Sequence, residues 1–145
     1  MKATMKNVVI DDNNEELVAF AQSIDFTELF DHVRDFVNVE CSFYPPEITT
    51  SNGEVSINFM SDDITSRTGA FAAVLERCCI RSFMNGIHRD KKTGTLGYWV
   101  CVSIRYEHKD GGSSGLDVVH AAYSGGKWEF RNAGQKREKT EEGLL

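Results

Sequence analysis

The sequence predicts a two-layer α+β domain, in which a curved, mainly antiparallel sheet of about five strands is covered by three helices. Three observations favour this class. Apolar residues recur at helical spacing near the amino end and alternate with polar residues in the last third of the chain. Glycine-containing turn sequences separate the alternating segments, as in β-hairpins. The length of 145 residues suits a single domain.

The amino-terminal part predicts two helices that follow a flexible arm at residues 1–12. An asparagine, Asn13 or Asn14, can cap the first helix because its side-chain oxygen can accept a bond from a free backbone N–H. Asp25 followed by Glu28 is typical of a capping box, which predicts the start of the second helix. The apolar stripe of that second helix is Phe26, Leu29, Phe30, Val33, Phe36 and Val37.

The middle of the chain predicts a hairpin and then the third and longest helix. Asn52-Gly53 lies between two alternating segments and is typical of a type I′ turn, because both residues tolerate a positive φ. Ser61 can begin the third helix and Asn85-Gly86 can end it. Residues 87–95 then form a polar, basic loop. The expected apolar face of this helix is Ile64, Phe71, Val74, Leu75, Cys78, Cys79, Ser82 and Phe83.

Three strands are predicted in the last third, over residues 96–108, 116–123 and 128–131. A tight turn at Gly125-Gly126 places Tyr123 opposite Trp128. The face that the helices should cover is formed by Val100, Val102, Ile104 and Tyr106 together with Val119, Ala121, Tyr123, Trp128 and Phe130. Residues 132–145 are rich in Lys and Glu and predict a solvated tail, so the expected domain spans residues 13–131.

The predicted order of elements is α-α-β-β-α-β-β-β. Over about residues 14–131 this order resembles the NTF2-like or cystatin-like cone topology, a likeness that rests on the order of elements and on no sequence motif. The resemblance implies a pocket between the sheet and the first two helices. Its expected aromatic lining is Phe43, Phe59, Tyr98, Tyr106 and Trp128.

The net charge of −6 is divided unevenly along the chain. Residues 1–63 hold thirteen acidic and three basic residues, whereas residues 64–145 hold thirteen basic and nine acidic residues. We expect no direct nucleic-acid partner, because non-specific binding to phosphates needs clustered cations. We also expect no membrane partner, because no apolar run reaches the roughly 20 residues of a membrane helix. The four cysteines lack metal-site spacing and predict reduced, buried thiols in a cytoplasmic protein.

The polar face of the second predicted helix carries an acid about once per turn. This acidic stripe consists of Asp25, Glu28, Asp31 and Asp35. A solvated helix face is the simpler interpretation of such a run. A line of carboxylates can also imitate a nucleic-acid backbone and bind a basic groove on another protein. The acidity of residues 1–63 favours this second interpretation.

The back of the predicted sheet mixes a tryptophan with cations. If side chains alternate strictly along each strand, the residues that point outward include Trp99, Ser103, Arg105, Leu116, Val118, His120 and Arg131. Strand pairing is expected to bring His120 close to both Ser103 and Arg131. A solvated sheet back is the simpler interpretation. Tryptophan and arginine are also enriched at protein interfaces, so a contact surface, including that of a homodimer, is the second interpretation.

Enzymatic chemistry has little support in the sequence. A nucleophile site would need Cys101 or Ser103 beside His120, with Glu129 to orient the imidazole ring. Residues at strand centres lack the sharp turn that usually exposes a nucleophile. The four histidines lie on separate predicted elements, and the glycine pairs lie in strand-to-strand turns, so no metal and no cofactor are predicted.

These features together favour a small, acidic, non-enzymatic interaction protein. Its character resembles that of proteins of phages and mobile elements, including inhibitors of host defence nucleases. The acidic stripe would bind another protein that has a basic surface. The alternative is a ligand-binding or enzymatic cone-fold domain with an aromatic-lined pocket. In that alternative, the cations that meet an anionic ligand are Arg105, His120, or Arg89, Lys91 and Lys92.

Overall fold

The computed structural model describes residues 1–5, 7–64 and 75–133. Over these residues the chain is α+β, with two helices and seven strands in two sheets. The helices are Glu15–Ser23 (α1) and Thr27–Val37 (α2). The strands are Thr4–Met5 (β1), Glu47–Ser51 (β2), Glu54–Asn58 (β3), Leu75–Arg89 (β4), Leu96–His108 (β5), Ser113–Ser124 (β6) and Lys127–Asn132 (β7). The predicted α+β class is confirmed. The prediction of about five strands and three helices is wrong.

The sheets are mainly antiparallel, as predicted. The smaller sheet has the order β1-β2-β3, in which only the β1–β2 pair is parallel. The larger sheet is an antiparallel meander of the order β4-β5-β6-β7. The chain beyond β3 stays beside β4, through single bridges from Met60 to Arg81 and from Ile64 to Cys78. The two sheets therefore adjoin along β4.

The predicted turns have the required backbone geometry. Asn52 and Gly53 have φ values of 53° and 79°, and Ser51 pairs with Glu54 across them. Gly125-Gly126 likewise has positive φ at both residues. Positive φ at both central residues is the signature of a type I′ turn, whose twist matches that of the flanking strands. The hairpin signals in the sequence were therefore sufficient to set both registers.

Both predicted amino-terminal helices are confirmed to within a residue or two. Asn14 precedes α1, but its Oδ1 accepts a hydrogen bond from the backbone N–H of Asp11, at 2.9 Å, and makes no bond to the helix. Asp25 Oδ1 accepts a bond from the backbone N–H of Thr27, at 2.9 Å, and so satisfies one free donor at the start of α2. The helix ends at Asn38, whose φ of 60° is tolerated by asparagine.

The sequence predicts a flexible arm at the amino-terminal segment. In the structure this segment contacts both β2 and the start of α2. β1 pairs with β2, and Ala3 is buried beside it. The backbone N–H of Phe26 donates to the carbonyl of Met1 at 2.7 Å. The amine of Met1 lies 2.7 Å from Asp25 Oδ1. The described part of this segment therefore packs against the start of α2 and the edge of the smaller sheet.

The third predicted helix is wrong. Its residues 65–74 lie outside the described ranges, and residues 75–86 belong to the fifteen-residue strand β4. The predicted basic loop at residues 87–95 is also wrong in its first part, because β4 continues to Arg89. β4 has one extra residue between Leu75 and Arg77, and another between Ser82 and Met84. Each extra residue interrupts the two-residue alternation, so the apolar positions take on a spacing that resembles a helix face.

The core lies between the helices and the inner face of the larger sheet. Val100, Val102 and Val119 are almost fully buried on the sheet side, as are Leu29 and Val33 on α2. The register across the last turn, with Tyr123 opposite Trp128 and Ala121 opposite Phe130, is confirmed. The inward-facing rows therefore follow the predicted pleat. Within the described residues, neither helix is long and apolar enough to cross a membrane.

Aromatic rings occupy the space beneath the two helices. The ring of Phe26 lies 5.9 Å from that of Phe59, 5.8 Å from that of Tyr98 and 5.6 Å from that of Trp128. The hydroxyl of Tyr98 is buried and donates to the carbonyl of Ile57 at 3.0 Å, and burial raises the pKa of this hydroxyl. Three of the residues expected to line a pocket are buried in this core, namely Phe43, Phe59 and Tyr98.

Candidate functional site

The outer face of the larger sheet is the side turned away from the helices. On the central strand β5 it carries Trp99, Cys101, Ser103, Arg105 and Glu107, which alternate with the buried row. On β4 it carries Arg77, Cys79, Arg81, Met84, Gly86 and His88, which are paired with outward-facing positions of β5. Four strands therefore contribute to one continuous surface, and β5 lies at its middle.

A register shift in β6 changes which of its residues reach the outer face. Val119 pairs with Val102 and Asp117 pairs with Ser103, so Val118 is an extra residue between them. Leu116 consequently pairs with Ile104 of the buried row. The expected outward placement of Leu116 and Val118 is therefore wrong. A single extra residue exchanges the two faces beyond it, which brings Asp117 outward instead.

A chain of polar contacts crosses the outer face from β5 to β7. Ser103 Oγ donates to Asp117 Oδ1 at 2.8 Å, and Asp117 Oδ2 lies 3.5 Å from His120 Nε2. Arg131 Nη2 donates to His120 Nδ1 at 2.7 Å. A guanidinium group can only donate, so Nδ1 is the acceptor and the proton of the neutral ring is on Nε2, towards Asp117. The predicted pairing of His120 with Arg131 is confirmed.

This arrangement does not form an activated nucleophile. The Ser103 hydroxyl is bonded to a carboxylate, and Asp117 lies between Ser103 and His120, so the expected Ser103–His120 contact is not formed. Cys101 pairs directly with His120, but burial and then the charge of Asp117 raise the pKa of its thiol. A raised pKa disfavours the thiolate, which is the reactive form. The described residues also contain no group of three His, Cys, Asp or Glu side chains that could hold a metal.

On the outer face, two glycines each lie beneath an aromatic ring of the neighbouring strand. A Cβ added at Gly86 would lie 2.8 Å from Trp99 Nε1, so the indole ring covers this glycine on the neighbouring strand. A Cβ added at Gly97 would likewise lie 2.8 Å from the ring of His88. Because glycine has no side chain, each ring can pack directly against the backbone of the neighbouring strand. Trp99 keeps 38% of its surface exposed and lies near the exposed side chain of Met84.

The arginines of the outer face differ in their partners. Arg77 binds Glu107 through two bonds, from Nε at 2.6 Å and from Nη2 at 3.2 Å, and these bonds lower the pKa of Glu107. Arg131 is bonded to His120. Arg81 makes no side-chain hydrogen bond or ion pair within residues 1–5, 7–64 and 75–133. Arg105 lies 3.6 Å from Glu107, beyond hydrogen-bonding distance. The face therefore retains two guanidinium groups with unused donors.

Three residues of the acidic stripe, Glu28, Asp31 and Asp35, lie on the solvent side of α2, opposite its buried residues, and Asp25 is exposed just before the helix begins. Asp25 is bonded by the amine of Met1 and by Thr27, and these bonds lower its pKa. Asp31 forms an ion pair with Arg34 at 2.7 Å. Glu28 and Asp35 have neither an ion pair nor a side-chain hydrogen bond within the described part of the chain. Two of the four carboxylates are thus compensated locally, and two face solvent without a partner there.

Comparison of the chain with protein-family models, with curated proteins and with solved structures finds no match. A function can therefore be argued only from the residues of this chain and from their geometry. Two surfaces carry features beyond those of an ordinary solvated face. One is the outer face, with its exposed aromatic side chains and with the Arg105 Nε that has no hydrogen-bond partner, and the other is the acidic stripe.

Proposed function

We propose that this protein is a non-enzymatic interaction protein that binds another protein and inhibits it. The observation that carries the proposal is the composition of the outer face. Exposed Met84 lies diagonally across from exposed Trp99, and further along the face exposed Phe83 lines one groove with Arg81 and Arg105. Aromatic residues, methionine and arginine are the types enriched at the centres of protein interfaces. Exposed apolar side chains that lie together on a single face are typical of an interaction site.

The acidic stripe is the second contact surface in this proposal, and its partner has a basic surface. Glu28 and Asp35 support it, because both are exposed and lack compensating cations within the described residues. The pairing of Asp31 with Arg34 reduces the net charge that the stripe presents. Attraction across such a contact speeds association and weakens with added salt. A small acidic inhibitor of a nucleic-acid-binding protein, as encoded by phages and mobile elements, would use this mechanism.

The alternative is a cone-fold domain that binds a ligand in an internal pocket. The two helices that precede an antiparallel meander are compatible with the cone topology. The pocket has less support, because Phe43, Phe59 and Tyr98 pack within the core. A small molecule retained by the intact protein in native mass spectrometry would favour this alternative. The free cysteines are consistent with our proposal that the protein works in a reducing compartment such as the cytoplasm.

The first test concerns the outer face. A partner is captured on the immobilised full chain from a bacterial lysate, identified by mass spectrometry, purified and used for binding measurements. Replacing Trp99 with alanine is expected to weaken binding about tenfold or more, as for an interface hot spot. Tyr44→Ala is the matched control, because Tyr44 is also an exposed aromatic residue but lies between α2 and β2, outside both proposed contact surfaces. Equal dissociation constants for the wild type and Trp99→Ala would contradict the role of the outer face.

The second test concerns the acidic stripe. The combined variant Glu28→Lys, Asp31→Lys and Asp35→Lys is expected to weaken partner binding and to remove most of its salt dependence between 0.05 and 0.5 M NaCl, about tenfold in ionic strength. A control triple variant with the same change in net charge reverses Asp12, Glu40 and Glu54, which are exposed elsewhere. Unchanged binding in the stripe variant, or an equal loss in the control, would exclude the stripe as the contact. Light scattering of the chain alone would reveal a homodimer.

A further inference from the structure

We propose that Arg81 and Arg105 form an oxyanion site on the outer face, which takes one phosphate or carboxylate group. Both arginines line a groove of about 320 Å³ that spans β4, β5 and β6. The inference deepens the proposed function, since it names the chemistry of the group that the outer face would bind. The site itself is tested with free ions and needs no partner.

Strand pairing brings the two guanidinium groups to one place. Arg81 pairs with Ser103, and Cys79 pairs with Arg105, so the two arginines are diagonal neighbours on adjacent antiparallel strands. Diagonal neighbours on one face lie within reach of each other when the side chains are long. Two like charges would repel one another in the empty groove, and an anion between them removes that repulsion. The arrangement thus favours a bound oxyanion.

The donors of these arginines are available. The Nε atom of Arg105 is shielded from solvent and has no hydrogen-bond partner. The nearest carboxylate, that of Glu107, lies 3.6 Å away and accepts two bonds from Arg77. A shielded donor without a partner is unfavourable, so a ligand that accepts its hydrogen bond gains from it. Arginine is the side chain whose planar fork best matches phosphate and carboxylate oxygens.

The remaining lining suits a single small anion. Ser113, which pairs with the outward-facing Glu107, supplies a hydroxyl group at one side of the groove, and Phe83 supplies an apolar wall. Gly115 lies opposite Arg105 and has no side chain to fill the space above it. A Cβ added at Gly115 would lie 3.6 Å from the carbonyl oxygen of Ile104, an ordinary contact, so the space is open. Among the described residues that line the groove, Asp117 is the one acidic residue, and its carboxylate already accepts a bond from Ser103.

The experiment titrates the full chain with inorganic phosphate or with acetate and follows the Nε–H signals of its arginines by NMR. Sodium chloride at matched ionic strength is the reference. We expect saturable shifts of the Arg105 signal with at least one of the two oxyanions, and the one that saturates identifies the preferred chemistry. Shifts that grow linearly and equal those caused by chloride would overturn the proposal.

Variants separate the site from a general effect of charge. Arg81→Gln and Arg105→Gln are each expected to weaken oxyanion binding about tenfold, the loss of a charge-assisted pair of bonds. Arg89→Gln is the control, because Arg89 lies on the same strand but is paired with Glu16 at 2.7 Å. Gly115→Asp should also weaken binding, since its carboxylate would occupy the groove. Binding that is unchanged in Arg105→Gln would overturn the proposal.

Asp117→Asn is expected to tighten oxyanion binding, a gain that misfolding of the variant cannot produce. Asparagine keeps an acceptor for the Ser103 hydroxyl and removes the negative charge that Asp117 contributes to the groove lining. Oxyanion binding should become about threefold tighter or better, because repulsion at this range contributes a fraction of a kilocalorie or more. Equal or weaker binding would contradict the site. Trp99→Ala leaves oxyanion binding intact here, so failure of partner binding and failure of this site are distinguishable.

Discussion

Replacing Phe26 with alanine is expected to lower the free energy of unfolding by about 3–5 kcal/mol, the range for a fully buried phenylalanine. Phe26 has no exposed surface, and its ring lies within 6 Å of the rings of Phe30, Phe59, Tyr98 and Trp128. The cavity left by truncation would separate α2 from both sheets. Urea unfolding followed by tryptophan fluorescence measures the change, because Trp128 is one of the contacting rings.

Phe36→Ala is the control for this variant. Phe36 lies on α2, which begins directly after Phe26, but it is 42% exposed, so its truncation is expected to cost less than about 1 kcal/mol. Equal losses of stability in the two variants would show that the aromatic cluster beneath α2 is not the centre of the core.

Replacing Ser61 with alanine is expected to destabilise the protein by about 1–3 kcal/mol, the cost of leaving a buried donor without a partner. Ser61 is 1% exposed and lies where the chain beyond β3 runs along β4. Its Oγ accepts a bond from the backbone N–H of Ile80 at 2.9 Å and donates to the carbonyl of Asp62 at 2.8 Å. Urea unfolding of the variant gives the change in the free energy of unfolding.

Ser56→Ala is the matched control for Ser61→Ala. The hydroxyl of Ser56 shares a hydrogen bond of 2.7 Å with Thr49 on the solvent-facing side of the hairpin. Water can replace that partner, so the expected change is within about 0.5 kcal/mol. A stability loss in Ser56→Ala as large as that in Ser61→Ala would mean that burial of the Ser61 hydroxyl does not decide its contribution.

The elements that the sequence predicts best are those fixed by local chemistry. Asn52-Gly53 and Gly125-Gly126 demand a backbone that few other residues adopt, and the strands around them follow with the expected register. The same reasoning placed His120 beside Arg131 and turned Val102, Ala121 and Phe130 towards the helices. Alternation measured from a known turn is reliable as long as no residue is inserted.

Extra residues account for the errors in β4 and β6. Phe83 in β4 and Val118 in β6 each interrupt a pleat, and no local signal such as glycine or proline marks either position. In β4 this made a strand resemble a helix. In β6 it hid Asp117, which lies in a position that simple alternation turns inward. A pattern with period two can be detected from sequence, whereas a break in that period is set by the contacts of neighbouring strands.

The candidate sites depended on tertiary contacts that no sequence pattern encodes. The residues of the acidic stripe are exposed, and the pair of Asp31 with Arg34 is local, since the two are three residues apart on one helix. The partner of Asp25 is Met1, which comes from a segment that carries no helix or strand signal of its own. Arg81 lies in the segment for which the sequence predicts the third helix, so its position next to Arg105 could not be foreseen. Their juxtaposition follows only from the register of β4 on β5.

The extra residues Phe83 of β4 and Val118 of β6 lie at the same level of the sheet, since both flank Val102 on β5. Deleting Phe83 alone would turn over the half of β4 beyond it, and deleting Val118 alone would do the same to one half of β6. Natural variants with a one-residue deletion in either strand should therefore be strongly selected against, whereas insertions in the turn at residues 90–94 should be tolerated. In an alignment of related sequences, the positions of gaps would thus be more informative about the outer face than the identities of its residues.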